Sequence, residues 1–188
     1  MISEYKSLKY ILYTDLNVKQ IIPISDEMAL KLYPEHKNFY NKKFLCDLQG
    51  INYGFKKPKN YPIVIKPYIN LEGGSRGYEL INNEKKNFII KKGYFWMEYL
   101  TGEHLCIDLF VLEGKIVLYT ILESFSDKQG TFKYHESMPN YKLNNDIKKL
   151  IEENFKNYSG VLNCETINNK IIDFHLRLNG DFYLSLIH

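Results

Sequence analysis

Two short turn signals between apolar runs constrain the fold of this chain more than any other feature of its sequence. They are Glu113-Gly114 and Asn168-Asn169, residue types that favour tight turns between antiparallel strands. The flanking runs are Leu105–Leu112, Lys115–Leu122, Val161–Ile167 and Lys170–Leu176. Aromatic residues favour strands, and they make up 15% of the chain. The sequence therefore predicts a sheet-rich α+β fold with antiparallel hairpins.

Three helical patterns accompany these strands. The first begins at Ser25, a good N-cap, and stops before Pro34. The second spans about Asn38 to Leu48 and is closed by Gly50, and the third spans Leu143–Tyr158. Further strands are expected at Tyr94–Leu100 and Tyr183–Ile187, whereas the polar residues 123–141 predict a mobile loop.

Length and composition indicate a globular protein of one domain or two lobes. The chain has 188 residues, and 25 Lys+Arg against 22 Asp+Glu give a net charge of +3, too weak to imply a nucleic-acid partner. We expect a short N-terminal segment at 1–60 and a core at 61–188. The core divides into a small lobe at 61–100 and a large lobe at 101–188.

Several classes of protein are not favoured. The sequence has no run of eighteen apolar residues, so no membrane span is expected. The charged start MISEYKSLKY does not resemble a signal peptide, and the cytoplasm is the expected compartment. Three scattered cysteines without a CxxC pair predict neither a disulfide framework nor a zinc site.

Lys66 and the segment Glu72–Gly77 form the first candidate site. Lys66 ends the apolar run Pro62–Lys66, and the segment EGGSRG that follows supplies glycines, a hydroxyl and a cation. Glycines allow close backbone approach, and successive N–H groups can bind anions, so a polyphosphate would fit. No Walker A triplet is present. The alternative is a glycine-rich hairpin tip with solvated charges.

Glu98 and Glu103 form the second candidate, at a strand end and the turn after it. Such carboxylates can accept hydrogen bonds from ribose, while backbone groups of the strand end meet an adenine edge. The alternative is a pair of solvated glutamates.

The third candidate is the hairpin that carries Glu165, Asp173, His175 and Arg177. The strand period of two places the last three side chains on one face. These groups are costly to bury without a ligand or metal, and carboxylates are donors that Mg²⁺ prefers. The alternative is an exposed, salt-bridged sheet face.

In this order the segments resemble the ATP-grasp ligases, a family that includes biotin carboxylase and carbamoyl phosphate synthetase. The resemblance extends from about Asn41 to Asn179. It is carried by Asn41-Lys42-Lys43, YPIVIKP, EGGSRG, WMEYLTGEHLCIDLFVLEGK, GVLNCE and IIDFHLRLNGD. It implies the ATP-grasp fold, in which two lobes of largely antiparallel sheet plus helices hold ATP between them.

The resemblance implies a set of nucleotide-binding residues. Lys42 or Lys43 would be the first ATP-contacting lysine, with the choice between them open, and Lys66 would reach the α/β-phosphates. A lid over the β/γ-phosphates would comprise Gly73, Gly74, Ser75, Arg76 and Gly77. The adenine-binding hinge would comprise Glu98, Tyr99 and Leu100, and the ribose acceptor would be Glu103.

The resemblance also implies the metal and catalytic residues. Glu165 would be the first Mg²⁺ carboxylate, and Asp173 takes the place of the usual second Glu. Arg177 would face the transferred phosphate as a catalytic residue, together with Lys66 and Arg76. The family usually has Asn where this chain has His175, so His175 either binds the metal or contacts phosphate.

The function implied is an ATP- and Mg²⁺- (or Mn²⁺-) dependent ligase. It would activate a small-molecule or peptide carboxylate as an acylphosphate for attack by an amine or another nucleophile. Family enzymes commonly carry a domain before the lysine helix, and about forty residues precede it here. A homo-oligomer or a partner chain that completes the acceptor site is therefore one open arrangement.

Two alternatives belong to other classes of protein. The first is a nucleotide-binding or scaffold module that has lost ligation. The second is a single-strand nucleic-acid binder, which is disfavoured because the tyrosines are scattered rather than clustered in a basic stripe.

Overall fold

Two antiparallel sheets organise the part of the chain that the computed structural model describes, residues 22–69, 77–84, 87–126 and 132–179. The four-stranded sheet has the order β1-β4-β2-β3, and the five-stranded sheet has the order β7-β6-β5-β8-β9. The strands are β1 (Tyr53–Gly54), β2 (Ile63–Pro67), β3 (Glu79–Ile81), β4 (Tyr94–Glu98), β5 (His104–Leu112), β6 (Lys115–Ser126), β7 (Phe132–Ser137), β8 (Gly160–Ile167) and β9 (Lys170–His175). The α+β prediction is confirmed.

The two predicted hairpins supply four adjacent strands of the five-stranded sheet. Glu113-Gly114 joins β5 to β6, and Asn168-Asn169 joins β8 to β9. All four turn residues have positive φ, as type I′ turns require. Asp173 and His175 share one face of β9, while Phe174 and Leu176 point into the core.

Three helices and one 3₁₀ helix accompany the sheets. They are α1 (Asp26–Leu32), the 3₁₀ helix (Pro34–Tyr40), α2 (Lys42–Gln49) and α3 (Asn145–Asn154). Ser25 caps α1 by accepting a hydrogen bond from the Met28 N–H, as predicted. The second helix is shorter than the predicted Asn38–Leu48 because its first residues belong to the 3₁₀ helix. Gly50 closes it in the left-handed conformation.

Helix α2 connects the two sheets. Its Leu45 lies in the large core beside the five-stranded sheet, and its Cys46 lies in a smaller core with Val64 and Phe95. The Gln49 side-chain amide accepts from the Ile171 N–H at 2.7 Å and donates to the Ile171 carbonyl at 2.8 Å. The side-chain amide of Gln49, the last residue of α2, therefore satisfies the backbone N–H and carbonyl of Ile171 on the edge strand β9, as the backbone of a neighbouring strand would.

The predicted loop at 123–141 is wrong for most of its length. Strand β6 continues to Ser126, and Phe132–Ser137 forms β7, an edge strand paired with the end of β6. Because β7 is largely exposed, its residues carry little of the apolar alternation that identifies a half-buried strand. Residues 127–131 and the predicted strand Tyr183–Ile187 lie outside the described residues.

All three cysteines are free and buried. Cys46 belongs to the small core and Cys164 to the large one, as small apolar residues would. Burial raises the pKa of all three thiols, that of Cys46 to about 11. Within the described ranges, no helix is long and apolar enough to cross a membrane.

Candidate functional site

Charged side chains meet where the two sheets adjoin. Lys66 lies at the end of β2, and its Nζ donates to the Ile172 carbonyl of β9 at 3.4 Å. Lys42, the first residue of α2, forms an ion pair with Asp173 Oδ2 and is only 5% exposed. Two predicted ATP-binding lysines and a predicted metal carboxylate therefore lie together, although they come from three separate elements.

The electrostatics of this group indicate a site that is rich in positive charge. Burial and the nearby charge of Lys42 lower the pKa of Lys66 to about 8, an effect that Asp173 partly offsets. Burial opposes ionisation of Asp173, but the charges of Lys42, His175 and Lys66 outweigh it and hold its pKa below the usual value. A bound anion would relieve the repulsion between the two lysines.

Lys43 occupies a different environment from Lys42. Its Nζ lies 5.1 Å from the centroid of the Phe55 ring and 5.7 Å from that of Tyr68. Lys42, by contrast, points to Asp173. The geometry thus separates the two lysines that the sequence leaves as alternatives.

Glu165 and Asp173 are register partners on neighbouring strands β8 and β9. Glu165 Oε2 lies 3.8 Å from His104 Nε2, and both carboxylates remain partly exposed. In the described part of the chain, no group of three His, Cys, Asp or Glu side chains is arranged to hold a metal ion. Two facing carboxylates nevertheless fit Mg²⁺, which is commonly bound by one or two carboxylates plus phosphate oxygens and water.

Asp26, the first residue of α1, binds the predicted residues at the end of β9. Its Oδ1 lies 3.0 Å from both His175 Nδ1 and Arg177 Nε, and its Oδ2 accepts from Arg177 Nη2 at 3.1 Å. Burial opposes ionisation of Asp26, but His175 and Arg177 outweigh it and lower the pKa of the carboxyl. His175 Nε2 lies 3.8 Å from Asp173 Oδ1.

The segment after β9 is fixed to the same face of the sheet. Asp108 Oδ1 on β5 accepts from the Asn179 N–H and from Asn163 Nδ2, both at 2.9 Å. Burial raises the pKa of Asp108 despite these bonds. Arg177 is thus held between two anchored points, Asp26 on one side and Asn179 on the other.

The predicted adenine hinge lies beside the small sheet. The Glu98 N–H donates to the Asn52 carbonyl at 2.9 Å, and the Tyr99 N–H donates to the Pro62 carbonyl at 3.2 Å. Among the described residues, the Leu100 N–H has no such partner.

The predicted ribose acceptor Glu103 accepts a hydrogen bond from the Tyr141 hydroxyl at 2.5 Å. This bond raises the pKa of Tyr141. Of the predicted lid, Gly73, Gly74, Ser75 and Arg76 lie outside the described residues. Gly77 is described: its φ is +80°, and a Cβ there would clash with the Tyr94 side chain.

Sequence reasoning missed two residues of this site. Asp26 lies 149 positions before His175 along the chain, so no local pattern links them. His104 is visible only as a neighbour of Glu103. The strand pairing brings it near Glu165, because Cys106, two residues along β5, is the register partner of Glu165.

Comparison with solved structures identifies the fold. An ATP-grasp superfamily protein from Archaeoglobus fulgidus aligns with a TM-score of 0.53 and 13% identity, over 76% of this chain and 47% of that one. The biotin carboxylase of Campylobacter jejuni, solved as a β-γ-ATP complex, aligns with a TM-score of 0.54 and 14% identity over 86% and 48%. The chain has the ATP-grasp fold.

A third similar structure is that of N5-carboxyaminoimidazole synthetase from Staphylococcus aureus, solved with ADP. It aligns with a TM-score of 0.55 and 14% identity, over 87% of this chain and 54% of that one. This chain spans about half the length of each of these three structures. No family model and no curated protein matches its sequence.

Proposed function

We propose that the charged group where the two sheets meet binds ATP with Mg²⁺ or Mn²⁺, and that the protein activates a carboxylate for ligation. The observation that carries this proposal is the convergence of Lys42, Lys66 and Asp173 from three elements of an ATP-grasp fold. Burial, together with repulsion from Lys42, lowers the pKa of Lys66, and a bound anion would favour its charged form.

Each part of the nucleotide has a proposed partner. Lys42 and Lys66 neutralise the phosphates, and the glycine segment that ends at Gly77 closes over them. The Leu100 N–H would meet the adenine edge, and Glu103 would accept from the ribose once Tyr141 releases it. Lys43 is not assigned to the nucleotide, because its ammonium lies over two aromatic rings.

Glu165 and Asp173 would hold the metal, which neutralises phosphate charge. In the structure Asp173 Oδ2 pairs with Lys42, and Oδ1 accepts from the Phe174 N–H at 3.0 Å, so metal binding would use a remaining lone pair of either oxygen. Arg177 would steady the transferred phosphoryl group through Nη1, which Asp26 does not contact and which donates to the Leu178 carbonyl at 3.0 Å.

The reaction we propose has two steps. A substrate carboxylate oxygen attacks the γ-phosphorus of ATP, and the bond from that phosphorus to the β-phosphate oxygen breaks. The products of this step are ADP and an acylphosphate. An amine or another nucleophile then attacks the acyl carbon and releases phosphate. The protein supplies positioning and charge neutralisation, the main contributions in phosphoryl transfer. The substrates would be small molecules or peptides bearing these groups.

The neighbouring structures support the nucleotide part of this proposal. The Campylobacter jejuni protein was solved as a β-γ-ATP complex and the Staphylococcus aureus protein with ADP. The biotin carboxylase domain of a 2-oxoglutarate carboxylase from Hydrogenobacter thermophilus, with a TM-score of 0.56, was solved with MgADP.

The test is calorimetric titration with a non-hydrolysable ATP analogue and Mg²⁺, followed by ATP turnover with pooled carboxylates and amines. Lys66→Ala should weaken binding roughly tenfold to a hundredfold, the loss expected for one charge-assisted contact. Asp173→Asn should abolish turnover. Lys92→Ala removes an exposed lysine from the turn before β4 and serves as the matched control. Binding by Lys66→Ala that equals that of Lys92→Ala would refute the proposed site.

A nucleotide-binding module without ligase activity is the second candidate. The commitment of Arg177 Nε and Nη2 to Asp26 favours it, because that edge of the guanidinium is then not open to phosphate. Tight binding of the ATP analogue without ADP release from ATP across the substrate pool would support this candidate over the ligase.

A further inference from the structure

We propose that Asp26, the first residue of α1, is a positioning residue that holds Arg177 in the orientation in which it binds the γ-phosphate. The inference rests on the proposed function and adds to it a residue from outside the segment Asn41–Asn179 that resembles the ATP-grasp ligases. Asp26 touches neither the nucleotide nor a metal in this scheme and acts only through the guanidinium group of Arg177.

Asp26 and Arg177 meet in a two-point contact. Asp26 Oδ1 lies 3.0 Å from Arg177 Nε, and Asp26 Oδ2 accepts from Nη2 at 3.1 Å. Two parallel bonds between a carboxylate and a guanidinium fix the direction of the guanidinium as well as its distance. The two side chains are 5% and 19% exposed, so water competes little for these bonds.

This contact determines which donors of the guanidinium face a ligand. A guanidinium has five N–H groups, of which two bond to Asp26 and one, on Nη1, donates to the Leu178 carbonyl at 3.0 Å. Nη2 also lies 3.5 Å from His175 Nδ1, but Nδ1 donates to Asp26 at 3.0 Å and cannot accept as well. Within the described part of the chain, one hydrogen on Nη1 and one on Nη2 remain. These are the donors that we assign to the γ-phosphate.

The Asp26 carboxylate is itself held in place. The Tyr40 hydroxyl bonds to it and accepts from the Leu176 N–H at 3.0 Å, which attaches Asp26 to the end of β9. Ala29, in the next turn of α1, is fully buried in the large core. Burial opposes ionisation of Asp26, but its hydrogen-bonded partners outweigh it and lower the pKa, so the carboxylate is charged at neutral pH.

The oriented guanidinium belongs to the charged group where the two sheets meet. His175, two residues before Arg177, places Nε2 3.8 Å from Asp173 Oδ1, and Asp173 pairs with Lys42. An arginine that is already fixed loses less conformational freedom when it binds a phosphate than one that is free in solvent. Asp26 would therefore strengthen the contact to the γ-phosphate without touching it.

Stability alone is a weak explanation for this buried pair. The cost of removing two charges from water often equals or exceeds what their attraction returns, and an apolar pair of similar volume is often no less stable. Packing of α1 against β9 would not require an arginine, whereas orientation of a phosphate-binding group does.

The test compares, by calorimetry with Mg²⁺, the dissociation constant of ADP with that of a non-hydrolysable ATP analogue. The ratio of the two constants isolates the γ-phosphate. Asp26→Asn should lower this ratio roughly tenfold, because the guanidinium is no longer aligned. The substitution also removes a negative charge from the site, which by itself would raise the ratio. A fall therefore reports orientation, and an unchanged or higher ratio would overturn the inference.

Ser25→Ala is the matched control for loosening of α1. It removes the hydrogen bond that Ser25 accepts from the Met28 N–H, but it leaves the Asp26 carboxylate in place. Its ratio of dissociation constants should equal that of the unsubstituted protein. A fall as large as that in Asp26→Asn would mean that α1 acts through stability alone, and it would overturn the inference.

Arg177→Lys provides a second variant if circular dichroism shows that Asp26→Asn does not fold. Lysine keeps the charge but cannot form the two-point contact with Asp26. The ratio in Arg177→Lys should fall as far as in Arg177→Met. A ratio in Arg177→Lys equal to that of the unsubstituted protein would show that charge suffices without orientation, and it would overturn the inference. If the unsubstituted protein binds neither nucleotide, the proposed function itself is refuted.

Discussion

The charged ammonium of Lys66 is energetically unfavourable in the folded protein, and a bound anion would reduce this cost. Its ammonium is partly buried, repelled by Lys42 and bonded to the Ile172 carbonyl, and its pKa falls to about 8. An unperturbed lysine has a pKa of about 10.4, so the shift corresponds to roughly 3 kcal/mol against folding with Lys66 charged. A group retained at such a cost is more consistent with binding than with stability.

Replacement of Lys66 by methionine should therefore stabilise the protein at pH 7, by about 1–3 kcal/mol in urea unfolding. The depressed pKa means that the unfolded chain holds the Lys66 proton between about pH 8 and pH 10.4, whereas the folded chain does not. The penalty is complete below pH 8 and disappears as the pH rises through this window. The advantage of Lys66→Met should thus shrink towards pH 10. An advantage that stays constant from pH 7 to pH 10 would contradict this account.

The choice between Lys42 and Lys43 can be tested by paired substitutions. Lys42→Met should weaken binding of the ATP analogue roughly tenfold to a hundredfold, because its ammonium belongs to the charged group around Asp173. Lys43→Met should change affinity by less than about twofold, because it removes only contacts to Phe55 and Tyr68. Calorimetry on both variants decides the matter, and a larger loss in Lys43→Met would reverse the assignment.

The sequence identifies individual site residues unevenly. Strand periodicity predicts that Asp173 and His175 share one face of β9, where they alternate with the buried Phe174 and Leu176, whereas Arg177 lies beyond the strand, which ends at His175. Asp26 could not be found in this way. Its carboxylate reaches β9 only because α1 packs there, and a contact across 149 residues leaves no local signal in a single sequence.

Among the secondary-structure elements, those predicted from turn residues agree with the structure better than the loop predicted from polar composition. Both hairpins form at the expected residues because positive φ restricts which residues the turns accept. The predicted loop at 123–141 is wrong because an exposed edge strand has no buried face to produce alternation. Tertiary pairing with β6, rather than local composition, determines that β7 is a strand.

The turn at Gly114 offers a test of two separate effects. Gly114 has a φ of +76°, and a Cβ there would collide with the backbone of Lys156. Gly93 has a φ of +89°, but among described residues no atom lies within 4 Å of a Cβ built on it. Gly93→Ala should cost about 1–2 kcal/mol from backbone conformation alone, and Gly114→Ala about 2–5 kcal/mol. If Gly93→Ala and Gly114→Ala lower the free energy of unfolding by the same amount, the collision with Lys156 is relieved without an energetic cost.

At the scale of the whole molecule, the site depends on how two sheets meet. Lys66 of the small sheet reaches a carbonyl of β9, and α2 contributes residues to both cores. The sequence predicts each sheet from its own strands, but the approach of β2 to β9 follows from packing between elements that are far apart in the chain. The order of the motifs along the sequence predicts which residues contribute to the site. The ion pair between Lys42 and Asp173, however, is visible only in the structure.

Each of the two hydrophobic cores contains a buried cysteine whose reaction with a thiol reagent would measure how often that core opens. Cys46 lies in the small core and Cys164 in the large one, and neither can react with a thiol reagent until its surroundings open. Labelling rates, read by mass spectrometry of the separated peptides, would therefore time the opening of the two halves independently. A common rate for both cysteines would mean that the halves open as one cooperative unit. A nucleotide bound between the sheets should slow both reactions together.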